Sequence, residues 1–278
     1  MNIIKTLQHS LHAIDGTRER LVVGDPGNRL RLGIPDIDIL LGDGLALNDL
    51  HEVRCSLSRD IGTACGFMLG LLCRIEKSRP VIWIAEPSVT PDTGTLYPDG
   101  FEYFGFDSSR LVHVQSMHLK DALWAAGEVT KAGSLAASVF QVAGNPEAFD
   151  LSVSRKLMLR SQKSGVPLFI LRQAGREEAS SAATRWHVKP SPSLQDENFS
   201  RGLGNMRLTL TLEKNRNGQT GQWVIAWNPQ TRSFEHAAQS SSAAYSQLPL
   251  ATASHRPHRP SSVGQILAPD WAKRQASG

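Results

Sequence analysis

The sequence predicts an α/β fold, with a mainly parallel central sheet flanked by helices and antiparallel edge strands at the C-terminal side. Two patterns support this class. Short apolar runs, typical of buried parallel strands, alternate with helical periodicity from about Gly33 to Gly165. Beyond Ala174, apolar residues alternate with polar ones instead, as in strands that have one exposed face.

Each element of the predicted core follows from its local pattern. The five apolar runs predict the strands LHEV (50–53), VIWIA (81–85), LVHVQ (111–115), AASVFQV (136–142) and PLFILR (167–172). Helical spacing of apolar residues predicts helices over 61–75, 119–129 and 150–165, the last with Asp150 as N-cap and Gly165 as stop. The predicted antiparallel strands are ATRWHV (183–188), MRLTLTLEK (206–214) and QWVIAWN (222–228).

The flanks of this core domain, which spans residues 28–235, differ from it in pattern. Residues 1–20 contain a predicted amphipathic helix with Leu7 and Leu11 on its apolar face. This helix would pack either on the core or on a partner. Residues 236–278 are rich in Ser, Ala, Pro and His without periodicity, so this basic tail is predicted to be disordered.

The composition favours a globular protein of the reducing cytoplasm. Of 278 residues, 40% are hydrophobic and 20% charged, which is enough apolar material for a substantial core. We find neither an apolar run of about 18 residues nor a secretory signal pattern, so no membrane partner is expected. The three cysteines show no paired spacing. The net charge of +4 is too small to predict tight nucleic-acid binding from electrostatics alone.

The stretch EVRCSLSRDIGTACGFMLGLL, from Glu52 to Leu72, has the strand–loop–helix order of a phosphate-binding loop but lacks its chemistry. Such a loop requires a lysine for the terminal phosphates and a Ser or Thr for magnesium. Here Gly62-Thr63-Ala64 stands in place of Gly-Lys-Ser/Thr, and Arg59 is the nearby basic residue.

The strand that should end in a magnesium-binding acid also lacks it. AASVFQV ends in Gln141-Val142, without a carboxylate. Two losses at the two required places predict that the chain hydrolyses no nucleotide and uses no cofactor or metal. The vestigial nucleotide-binding residues would be Arg59, Gly62, Thr63 and Glu86, and no catalytic residue is predicted.

Longer segments resemble the RecA core in order and spacing from about Gly33 to Asn228. They are RLGIPDIDILLGDGLALNDLHEV, VIWIAEP, FGFDSSRLVHVQ, DALWAAGEVTKAGSLAASVFQV and LRSQKSGVPLFILRQ. Together with SAATRWHV, GQWVIAWN and the lost phosphate chemistry, they narrow the resemblance to the ImuA family. This family is RecA-like, bacterial and associated with damage-induced mutagenesis, in the translesion branch of the SOS response.

The ImuA resemblance implies an adaptor rather than an enzyme. Its expected partners are ImuB, a polymerase-like protein without polymerase activity, and an error-prone replicative-type DNA polymerase; RecA and DNA are further candidates. Two interpretations from other classes remain open. One is a divergent ATPase that uses Arg59 and Glu86, and the other is a SulA-like inhibitor of cell division.

Residue roles carried over by the resemblance are few. Glu86 stands where RecA-like recombinases keep the glutamate that activates water, although an ordinary strand-end position is favoured. Two DNA-gripping loops would lie near residues 143–150 and 173–183. Candidate phosphate contacts around the second loop are Arg172, Arg176 and Arg185. Because Glu177 and Glu178 offset their charge, a solvated surface is the favoured alternative for these arginines.

The predicted tail carries candidate partner-binding residues. Gln247, Leu248 and Leu250 resemble part of the peptides that dock on bacterial sliding clamps, but the final aromatic residue is absent and a plain linker is the alternative. Ile266, Leu267 and Trp271 are apolar residues in a polar segment, where they would anchor a partner or fold back on the core.

Overall fold

The structure is a computed structural model that describes residues 28–193, 195–196 and 199–237. The predicted helix within residues 1–20 lies outside the described residues. The same holds for residues 238–278, which make up nearly all of the predicted tail and include its candidate partner-binding residues. In the described part of the chain, no helix is long and apolar enough to cross a bilayer.

The described residues form one large sheet, two short strand pairs and helices on both faces of the sheet. The strands are β1 Arg29–Leu30, β2 Leu45–Ala46, β3 Leu50–Arg54, β4 Val81–Ala85, β5 Leu111–Gln115, β6 Ala137–Ala143, β7 Leu168–Gln173, β8 Thr184–Ser191, β9 Gln195–Asp196, β10 Phe199–Leu203, β11 Arg207–Asn215, β12 Gly221–Asn228 and β13 Ser233–His236. The helices are α1 Pro35–Leu40, α2 Ile61–Leu72, α3 Thr90–Thr93, α4 Asp99–Tyr103, α5 Leu119–Val129 and α6 Leu151–Ser164, with 3-10 turns at Ser58–Asp60 and Ser108–Arg110.

Nine of the described strands share one sheet in the order β13-β12-β11-β8-β3-β7-β6-β4-β5. Neighbouring strands from β5 to β8 run parallel, and β11, β12 and β13 are added in antiparallel pairs. The predicted fold class, a mainly parallel sheet with helices and antiparallel strands at one side, is confirmed. Short apolar runs form the central strands because both of their faces are covered.

One strand differs from the sequence prediction. The segment 183–188 was expected to be antiparallel to the core, but β8 pairs in parallel with β3, with Thr184 beside His51. A parallel connection usually contains a helix, and the segment between β7 and β8 is too short and too polar to predict one. Residues 174–183, all within the described part of the chain, connect β7 to β8 without forming a helix.

Local signals fix the ends of α6 as predicted. The side chain of Asp150 accepts a hydrogen bond from the backbone N–H of Val153 at 2.7 Å, which satisfies a donor that the helix itself leaves free. Gly165 follows the helix with φ of 78°, a left-handed conformation that suits glycine. The helix therefore begins and ends where the sequence indicates.

Two apolar cores lie on the opposite faces of the sheet. One face packs against α2 and includes Phe67, Trp186 and Trp227. The other packs against α5 and α6 and includes Phe140 and Ile170. This layering leaves the carboxyl ends of the parallel strands at one edge, where open α/β sheets bind their ligands.

Candidate functional site

The loop between β3 and α2 is closed by a short helical turn rather than left open for a phosphate. Ser58–Asp60 forms a 3-10 turn that runs directly into α2. The Asp60 side chain is 12% exposed and lies at the start of the helix, where the helix dipole favours a negative charge. A second anion at the same place would be repelled by it.

The basic residue of this loop points away from it. The Arg59 side chain is 82% exposed, with its Nε 3.9 Å from the Asp60 carboxylate. Gly62 and Thr63 lie in the first turn of α2, and a Cβ added to Gly62 would meet nothing within 4 Å. The predicted vestigial residues on this loop are therefore adjacent, but the only charge they carry is on solvated Arg59.

Glu86 follows β4 and is committed to the backbone. Its side chain is 3% exposed, and its two oxygens accept hydrogen bonds from the backbone N–H groups of Ala143 at 3.0 Å and Ser88 at 3.1 Å. The carboxylate thus joins the carboxyl end of β4 to that of β6. This geometry supports the strand-end interpretation of Glu86.

Gln141 occupies the strand position where an acid would hold magnesium, and it is engaged within the core. Its Oε1 accepts a hydrogen bond from the indole N–H of Trp83 at 2.8 Å, and both side chains are buried. A neutral amide suits this place because a buried indole needs an acceptor and an isolated carboxylate would be costly to bury.

Between these elements lies a cavity of about 350 Å³, bounded by α2, the carboxyl ends of β4 and β6, and the segment through α3 and α4. Among the described residues that line it, none is Asp, Glu, Lys or Arg. Burial lowers the pKa of lining residue His113, so its imidazole is neutral at pH 7. Burial likewise raises the pKa of Cys65 to about 12, which keeps its thiol protonated. The cavity is neutral and suits an uncharged guest, not a triphosphate with its metal.

Comparisons with known proteins agree with the sequence analysis. No family model matches the chain. Protein ImuA of Caulobacter vibrioides, in strains NA1000 and ATCC 19089, is 29% identical over 211 residues, which cover 70% of this chain and 82% of the relative. The predicted resemblance to ImuA is confirmed. The RadB recombinase is a structural neighbour with a TM-score of 0.51 and 15% identity, covering 75% of this chain and 100% of the recombinase chain. The core of this ImuA-like chain is thus RecA-like in fold.

The two predicted DNA loops of the ImuA-like chain are fastened to each other. The side chain of Asn145 accepts a hydrogen bond from the backbone N–H of Arg176 at 2.7 Å and donates one to its carbonyl at 3.1 Å. Arg176 itself has an exposed side chain. Among the three candidate phosphate contacts, it is the one that faces solvent.

The other two candidates are buried, which corrects the expected solvated surface. The exposed fraction is 1% for Arg172 and 3% for Arg185. Both flank buried Glu52 of β3, whose Oε1 lies 3.0 Å from the Arg172 Nε and whose Oε2 lies 3.3 Å from the Arg185 Nε. Neither guanidinium faces solvent in this arrangement. Their contact with DNA phosphates stays a prediction, and the burial of both side chains argues against it.

This buried charge network, consisting of Glu52, Arg172 and Arg185, was missed by the sequence reasoning. Glu178 adds a further carboxylate oxygen 2.9 Å from Arg172, and the Gly144 carbonyl accepts from the same guanidinium at 2.8 Å. The available signal was a charged residue inside an otherwise apolar strand, both in LHEV and in LFILR. Through Glu178, the segment between β7 and β8 is paired with this network.

The described residues offer no metal centre, since no group of three or more His, Cys, Asp or Glu is placed to hold an ion there. The candidate partner-binding residues Leu7 and Leu11 lie outside these residues, as do those of the tail. The interactions predicted for them remain predictions.

Proposed function

We propose that this chain is a non-hydrolysing adaptor, with a RecA-like core, in a DNA-damage-induced translesion synthesis assembly of the bacterial cytoplasm. It would bind ImuB and bring it together with an error-prone replicative-type polymerase, with RecA as a further candidate partner. Its contribution would be to hold proteins in place, and it would carry out no chemical step.

The single observation that carries this proposal is the neutral lining of the cavity at the carboxyl ends of the strands. A triphosphate and its magnesium require cations and carboxylates within hydrogen-bonding distance. The groups at the corresponding positions serve the fold instead, since Glu86 accepts from two backbone amides and Gln141 accepts from Trp83. An ATPase that uses Glu86 would have to work with a carboxylate whose two oxygens each already accept a backbone hydrogen bond.

Titration calorimetry of the full chain with ATP and magnesium tests the absence of nucleotide chemistry. We expect no saturable heat and no release of phosphate. Saturable binding that is lost in Arg59→Ala would favour the divergent ATPase and overturn the proposal.

Copurification with ImuB tests the adaptor role separately. We expect the full chain to retain ImuB on an affinity column. Leu7→Ala with Leu11→Ala, or Ile266→Ala with Trp271→Ala, should weaken retention if the flanks carry the contact. Exposed Leu159→Ala on α6 is a matched control within the described core. Failure of the full chain to retain ImuB would refute the adaptor role.

A further inference from the structure

A basic cleft lies at the opposite end of α2 from the phosphate loop. Its volume is about 750 Å³, and its walls come from β1, the segment after α2, and the turns before β5 and β13. Its lining holds one acid, Asp43, and five cationic residues: Arg29, Arg31, Arg74, Lys77 and Arg232. The fold therefore collects positive charge from parts of the chain that are distant in sequence.

Two of these cations, Arg29 and Arg31, are engaged with the segment that contains Asp43. Arg29 donates to the carbonyls of Leu41 at 3.2 Å and Gly44 at 2.9 Å, so it fastens the β1–β2 region. Arg31 forms an exposed ion pair with Asp43 at 2.6 Å. The cleft's single acid is thus occupied by one of its five cations.

The other three cations, Arg74, Lys77 and Arg232, are exposed. Arg74 donates through Nε to the carbonyl of Arg31 at 3.1 Å, which leaves its two terminal amino groups available. Within the described part of the chain, no carboxylate forms an ion pair with any of the three. Uncompensated cations around one concave surface create a local positive potential that attracts anions.

Two of these side chains pack against glycines. Gly105 and Arg232 both have left-handed φ angles, of 68° and 52°, and a Cβ on Gly105 would lie 2.4 Å from the Arg232 Cδ. A Cβ on Gly33 would lie 3.3 Å from an amino group of Arg74. The two arginine side chains thus lie directly against the backbone at the rim.

The three cations also act on a common point in the cleft wall. Burial raises the pKa of the Cys73 thiol, and the positive charges of Arg74, Lys77 and Arg232 oppose that rise. All three residues line the cleft together with Cys73.

We propose that the basic cleft binds the sugar-phosphate backbone of DNA. Guanidinium and ammonium groups match phosphate oxygens, and Arg does so with two parallel hydrogen bonds. The described lining residues include no aromatic side chain on which a base would stack, so the contact is independent of sequence. An acidic protein segment fits less well, because the apolar lining residues Leu30 and Cys73 are buried and offer no anchor.

This inference does not rest on the adaptor role, and the site differs from both loops predicted to grip DNA. It is tested by fluorescence anisotropy of labelled duplex DNA with the full chain and with the cleft variant Arg74→Gln, Lys77→Gln, Arg232→Gln. A plot of log K against log salt concentration has a negative slope, and the loss of three phosphate contacts should make that slope less steep by about 2.7. Between about 50 and 200 mM salt, wild-type affinity should then fall about 40-fold more than that of the variant.

A matched control removes the same charge from another surface. Arg155, Lys156 and Lys163 are exposed on α6, and their replacement by Gln should change the slope far less than the cleft variant does. A second control should strengthen binding. Asp43→Asn suits the left-handed backbone there, with φ of 80°, and releases Arg31, so affinity should rise several-fold. Damage to the fold would not produce tighter binding.

Equal losses in the cleft and α6 variants would overturn the proposal, as would an unchanged salt slope in the cleft variant. Polyglutamate and an RNA duplex, each at matched charge, serve as competitors. If either binds more tightly than DNA and shows the same loss in the cleft variant, the assignment to DNA is wrong.

Discussion

Replacing Glu52 by Gln tests whether the buried charge network stabilises the core. Glu52 and Arg172 each have side chains that are 1% exposed, and that of Arg185 is 4% exposed. The substitution keeps the shape of the side chain but removes the negative charge between two buried guanidinium groups. Removing one partner of a buried ion pair typically costs about 3–5 kcal/mol, because the remaining charge is left uncompensated.

The surviving contacts place the expected cost at the lower end of that range. Arg172 would keep Glu178 at 2.9 Å and the Gly144 carbonyl at 2.8 Å, while Arg185 would keep the hydroxyl of Ser180 at 2.9 Å. We therefore expect a loss of about 3 kcal/mol in the free energy of unfolding. For a domain of this size, that corresponds to a decrease in Tm of about 6–12 °C.

Urea and thermal unfolding at pH 7 would measure this loss, with Glu128→Gln as the control. Glu128 pairs with Lys131 at 2.5 Å on the surface, and its loss should cost at most about 1 kcal/mol. Replacing Glu52, Arg172 and Arg185 together by apolar residues should be less damaging than Glu52→Gln, because no buried charge is then unpaired. A Glu52→Gln variant as stable as the surface control would refute the reasoning.

Three further predictions follow from the site and the core. Glu86→Gln should lower the free energy of unfolding by about 1–3 kcal/mol, because one backbone N–H loses its acceptor; calorimetric unfolding measures this loss. The same variant should leave the release of phosphate from ATP at background in a phosphate assay. Gly62→Ala should raise stability by about 0.5–1 kcal/mol in thermal unfolding, because its Cβ meets open space in a helical turn; destabilisation would contradict this. Burial lowers the pKa of His51 below its ordinary 6.5, so below pH 6.5 the unfolded chain binds more protons than the folded chain. The free energy of unfolding should therefore decrease as the pH is lowered from 6.5, by at most about 1.4 kcal/mol per pH unit. In urea titrations at two pH values, His51→Asn should reduce that dependence.

Local patterns account for the part of the fold that the sequence predicted well. The strands at Val81–Ala85 and Leu111–Gln115 have the predicted limits, and α6 is fixed by Asp150 and Gly165, whose effects act over a single turn. The direction of β8 was missed because it depends on pairing with β3, which is distant in the chain. Non-local pairing leaves no mark in a short alternating segment.

The candidate site shows the same division between local and non-local information. The missing lysine and the missing acid are visible in the sequence, because each belongs to a short motif of fixed spacing. The burial of Arg172 and Arg185 is not visible in the sequence. The neighbouring Glu177 and Glu178 indicate the local charge balance but not whether the arginine side chains are buried or exposed. The basic cleft draws on residues from Arg29 to Arg232, so only the folded chain brings its charges together.

The positions of charge show that polar groups at the carboxyl ends of the strands contribute to the packing of this RecA-like core. At the carboxyl ends of the strands, Glu86 and Gln141 satisfy backbone and indole groups that would otherwise be buried without partners. Glu52 meets the same requirement for two buried arginines on β7 and β8. Polar groups that stabilise the sheet internally are not available to bind a ligand in the same place. Solvated, unpaired charge is found instead at the other end of α2, and it is there that this chain is equipped to meet an anionic partner.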